Sequence, residues 1–125
     1  MTSHVQTVVL LASDIMLQST ISSFASQFGV GFVSSGSAAE ASQVAGDGRV
    51  LLLIDLGLPG LNVAELASNV SADVLAGAVA YGPHVHTEKL QAARDAGVGS
   101  VVSRGEFSAR AGQLIASFAA SGSGA

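Results

Sequence analysis

The chain has 125 residues and a formal net charge of −4, with 49% apolar but only 11% charged side chains. That length suits one domain with one core, and with aromatics at 5% the core must be aliphatic. There is no cysteine, which excludes a disulfide framework and thiolate chemistry, and no Lys/Arg cluster of the kind that holds nucleic acid. The N-terminus lacks a basic region followed by a long apolar core, and no segment approaches the roughly 18 apolar residues of a membrane span. The expectation is a soluble, cytoplasmic domain that touches neither membrane nor nucleic acid.

In chain order, Thr7–Ala12 is a β-branched and Leu run that reads as a buried strand. Ile15–Phe28 places Leu17, Ile21, Phe24 and Phe28 on one helical face, and Gly29 is positioned to stop the helix. Val30–Ser34 is a second, weaker strand. Ser37 and Glu40 form a capping-box pattern for a short helix ending near Gly46. Val50–Ile54 runs apolar into Asp55, as a central parallel strand buried on both faces does. A Gly/Pro-broken loop, Leu56–Leu61, follows at once.

Asn62 can cap a third helix over Val63–Val70, and Leu75–Ala80 reads as a fourth strand ended by Gly82-Pro83. Thr87–Ala96 is a fourth helix with Gly97 as its stop, and Gly99–Ser103 a short fifth strand. A fifth helix from Ser108 to about Ala119 places Ala111, Leu114, Ile115 and Phe118 on one face. Residues 1–119 form the expected domain. The remaining 120–125 have the Ser/Gly composition of a flexible tail. Strands alternating with helices imply a parallel sheet covered on both faces, joined by right-handed crossovers. For this size the expected architecture is α/β, a flavodoxin-like (βα)5 doubly wound sheet of order 2-1-3-4-5.

In that order strands 1 and 3 are neighbours, and a crevice opens at their carboxyl ends. Asp14 follows strand 1 and Asp55 ends strand 3. Two converging carboxylates repel unless a cation or proton intervenes. Mg²⁺ suits such a pair, and the carbonyl of Gly57 is a candidate third oxygen. Asp14 is also, without any metal, a sufficient N-cap for the first helix. His84 and His86 stand near the mouth as loop histidines. Spacings of Gly29, Gly31 and Gly36 match no nucleotide-binding motif.

Asp55-Leu-Gly-Leu-Pro-Gly-Leu-Asn62 after an apolar strand, with the five-fold order and the length, resembles the receiver domain of two-component response regulators. The resemblance spans about residues 6–119. It implies a signalling module rather than an enzyme, with Asp55 accepting a phosphoryl group from a histidine kinase or phosphotransfer protein. It further implies Mg²⁺ at Asp14 and Asp55, Arg104 in place of the family's lysine, and output to a downstream protein through helix 4, strand 5 and helix 5. Ala109, Gly112 and Ala116 on helix 5 would let a partner helix approach closely, and a homodimer is compatible with this face. The chain departs from the family at several places. Ser13 replaces the first acid of the pair, and Ala80 or Tyr81, depending on where a small insertion is placed, the hydroxyl residue at the end of strand 4. Gly105 replaces a proline, and Val101 an aromatic. These departures keep open an atypical form, a pseudo-receiver that docks or dimerises without phosphorylation. A phosphatase-like hydrolase using Asp55 is a weaker rival, since nothing supplies a general acid.

Overall fold

The computed structural model describes residues 6–37 and 49–123. Its five-stranded parallel sheet is built from β1 (Gln6–Leu11), β2 (Gly31–Ser35), β3 (Arg49–Asp55), β4 (Val79–Gly82) and β5 (Ser100–Ser103), in the order β2-β1-β3-β4-β5. The helices are α1 (Ile15–Gln27), α2 (Val63–Ser68), α3 (Ala72–Gly77), α4 (Thr87–Asp95) and α5 (Arg104–Ser123). The expected flavodoxin-like 2-1-3-4-5 order is the observed one. Beyond Ser37, the capping box with Glu40 and its short helix lie outside the described residues.

Alternation along the strands divides the core into two layers. Val8, Leu10, Leu51, Leu53, Val79 and Tyr81 face α1 and α5, packing on Ile21, Ala25, Phe107, Ala111 and Ile115. Val9, Leu11, Leu52, Ile54 and Ala80 face the other way, against Leu66 of α2 and Leu90 and Ala93 of α4. Apolar burial on both faces is why β1 and β3 are continuous aliphatic runs.

Helix ends follow local chemistry. Gly29 (φ 71°) and Gly97 (φ 99°) take the left-handed conformation that ends α1 and α4. Behind them the N–H groups of Val30 and Val98 donate to the carbonyls of Ala25 and Ala93. Asn62 caps α2 by accepting from the Glu65 N–H at 3.0 Å.

Two boundaries differ from expectation. The Leu75–Ala80 strand begins only at Val79, because Ser71 caps a helical turn over Ala72–Gly77. The final helix starts at Arg104, not Ser108, and runs to Ser123. Ser103 and Glu106 explain the early start. The Glu106 N–H donates to Ser103 Oγ at 3.2 Å while Glu106 Oε1 accepts from the Ser103 N–H at 3.5 Å, a capping box.

Gly112 also needs correction as an exposed partner-facing residue. It faces α1, and a Cβ there would lie 2.9 Å from the Phe24 ring. Of the three small residues, Ala109 is exposed and Ala116 half-buried.

Candidate functional site

The carboxyl ends of β1, β3, β4 and β5 meet at one edge of the sheet, and the residues singled out in the sequence gather there. Asp55 ends β3 and is buried, 6% exposed, one of only two buried polar residues among those described. Its Oδ1 accepts the Gly57 N–H at 2.8 Å, so the carboxylate is held by the loop that follows it. The Asp55 backbone carbonyl accepts from Leu58, tightening the same turn.

Asp14 sits across the opening. Its Oδ1 caps α1, accepting from Met16 and Leu17 N–H groups at 3.0 and 3.1 Å. Its Oδ2 pairs with the Arg104 guanidinium at 2.5 Å. Asp14 is thus both the N-cap and part of the pocket. The early start of α5 puts Arg104 in its first turn, at the end of β5, where it reaches back to β1's end. Both partners are partly exposed, at 47% and 33% of their side chains, so the pair contributes only about 0.2–1 kcal/mol to stability.

Tyr81 is the unexpected member. Asp55 and Tyr81 are register partners between β3 and β4, so their side chains leave the same face. That resolves which of Ala80 and Tyr81 stands beside Asp55. Ala80 belongs to the opposite layer. The Tyr81 ring is wholly buried and stacks on Phe107, with centroids 4.1 Å apart and planes 9° from parallel. Its hydroxyl is buried with no hydrogen-bond partner among the described residues. Burial and, next, the Asp55 charge push its pKa well above the ordinary tyrosine value, with Asp14 adding and Arg104 opposing. These charges place the hydroxyl in the electrostatic neighbourhood of all three site residues.

His84 and His86 are exposed in the loop after β4, and among the described residues no group of three or more His, Asp or Glu side chains converges on a metal position. Tyr81 was open to reading only as one of two alternatives. Phe107 and the Ser103–Glu106 box were missed, although the Ser-x-x-Glu pattern was there to be found.

No protein-family model matches the chain, and no curated protein matches it in sequence. Solved structures do. The response regulator receiver domain from Rhodospirillum rubrum superposes with a TM-score of 0.67 at 17% identity, over 91% of this chain and 94% of that one. The chain has the receiver-domain fold. The receiver domain of the sensor histidine kinase PA1611 from Pseudomonas aeruginosa, which holds magnesium in its active-site cleft, gives 0.66 at 15% identity, over 89% and 98%. The Ssk1 receiver domain of Saccharomyces cerevisiae, co-crystallised with the histidine phosphotransfer protein Ypd1, gives 0.62 at 18%, over 80% and 78%. At these identities the likeness establishes the receiver fold. The pocket's chemistry rests on this chain's own residues.

Proposed function

We propose that this chain is a receiver-type signalling domain in which Asp55 accepts a phosphoryl group from a phosphohistidine on a histidine kinase or phosphotransfer protein. The observation that carries this reading is the place of Asp55, a buried carboxylate ending the central strand beside an unpartnered hydroxyl. An Asp55 oxygen attacks the phosphorus and the P–N bond breaks, its electron pair returning to the donor ring nitrogen, so that a histidine protonated on its other ring nitrogen leaves as neutral imidazole. Arg104 supplies positive charge and Tyr81 an O–H donor for the phosphoryl oxygens, so the work is positioning and electrostatics. The role is that of a switch modified once per signal, not of a turnover enzyme. Ile15 and Met16, in the first turn of α1, and Val85, in the loop after β4, are exposed large apolar side chains of the kind a docking donor protein would cover. Output passes to a downstream protein through α4, β5 and α5.

Magnesium is the cofactor the resemblance implies, with Asp14, Asp55 and the Gly57 carbonyl as donors. As they stand, these residues do not fit it. Both Asp14 oxygens are committed, and Ser13 supplies no second acid. No step here passes through a metal.

The same Arg104–Asp14 pair favours a second reading, a phosphorylation-independent docking or dimerisation module. Incubation with phosphoramidate or acetyl phosphate, followed by intact-mass measurement, separates the two. The proposal expects one phosphoryl group per chain, released by hydroxylamine and lost in Asp55→Asn. An unmodified chain with both donors would leave the docking module.

A further inference from the structure

We infer that Arg104 controls cation entry to this pocket. Its guanidinium takes the position on Asp14 that a divalent cation would need, and the two exclude each other. Asp14 Oδ1 is occupied by two α1 amides, and Oδ2 by Arg104 at 2.5 Å. Mg²⁺ requires oxygen ligands at about 2.0–2.1 Å in near-octahedral array. An ion on that same oxygen would stand within about 4.6 Å of the guanidinium, where like charges repel strongly. No neighbouring acid relieves the competition, because Ser13 precedes Asp14 and no third carboxylate converges there among the described residues.

An independent observation points to the ligand that would reverse this arrangement. The buried Tyr81 hydroxyl has no hydrogen-bond partner among the described residues and feels the charges of Asp55 and Arg104. An unpaired buried donor is costly, and an anion attached to Asp55 would satisfy it. The same anion offers Arg104 an alternative to Asp14. Turning toward it releases Asp14 Oδ2, so anion and cation bind cooperatively while the cation alone binds poorly. This rests on the reading of Asp55 as a phosphoryl acceptor, but the exclusion itself is testable without phosphoryl transfer.

The test is an amide NMR titration with MgCl₂ alone, on the wild type, Arg104→Ala and Arg104→Gln, each first checked for a dispersed spectrum. Both neutral variants are expected to bind Mg²⁺ at least about tenfold more tightly than the wild type, with shifts at Asp14, Asp55 and Gly57. Adding Asp14→Asn to either neutral variant should abolish the gain. Equal Mg²⁺ affinity in the wild type and the neutral variants, or no binding in any of them, overturns the inference. If Asp55 proves never to be phosphorylated while the gain appears, the acceptor reading fails and the exclusion stands.

Discussion

Gly99→Ala is expected to destabilise the domain by about 3 kcal/mol or more, near or beyond the top of the usual overpacking range. A Cβ at Gly99 would lie 1.8 Å from the carbonyl oxygen of Ala76 and 2.6 Å from its carbonyl carbon. Both are backbone atoms, so no side-chain rotation relieves the contact. The backbone is also pinned on either side. The Gly99 N–H donates to the Leu75 carbonyl at 3.0 Å, and the Ser100 N–H to Ala78 at 3.1 Å. Accommodating one methyl group means separating α3 from the start of β5 and losing those bonds. Thermal unfolding by circular dichroism should show a fall in Tm of about 10 °C or more. Gly105→Ala is the control. It lies in the first turn of α5 with nothing within 4 Å of its built Cβ, so alanine there should be neutral or stabilise by up to about 1 kcal/mol. A Gly99→Ala protein as stable as the wild type would contradict the close approach of α3 and β5.

The second large effect is on ionisation. Tyr81 is the chain's one tyrosine and there is no tryptophan, so phenolate absorbance reports this group alone. Burial and the Asp55 carboxylate both disfavour the phenolate. In the folded protein the signal should stay absent through pH values near 10, where an unfolded chain titrates normally. The sign for stability follows. The folded state keeps its proton where the unfolded state has lost it, so stability is undiminished below about pH 10 and falls as pH rises past it. Phenolate should therefore emerge together with unfolding, whereas titration near pH 10 with the far-UV spectrum intact would contradict a buried hydroxyl. Tyr81→Phe keeps the stack on Phe107 and removes an unpartnered group. It should be neutral or stabilise by up to about 1 kcal/mol.

Much of the fold was legible because its signals are local. β1 and β3 are aliphatic runs because both their faces are buried. Gly29, Gly97 and Asn62 mark helix ends by conformation or capping, and the carboxylate that ends β3 announces itself. Leu75–Ala80 misled because a short run of small apolar residues suits a helical turn as well as a strand, and the Ser71 cap decided for the helix. Ala80 and Tyr81 point to opposite faces because they are neighbours in one strand. The choice between them turned on where a small insertion is placed relative to the family, and only the pairing of β4 with β3, which sets Tyr81 opposite Asp55, decides it. The expected start of the last helix at Ser108 passed over the Ser103–Glu106 box, which begins α5 at Arg104. The Arg104–Asp14 pair joins residues 90 positions apart. No local pattern encodes it. It arises because sheet order brings the end of β1 and the first turn of α5 to one edge.

The most direct test of the pocket is an amide NMR titration with beryllofluoride, a stable mimic of an acyl phosphate, in excess Mg²⁺, with Asp55→Ala as control. Shifts centred on Asp14, Asp55, Tyr81 and Arg104, absent from the control, are the result expected of an acceptor site assembled from these four residues. No change at millimolar ligand would contradict it and leave a receiver fold that signals by docking alone.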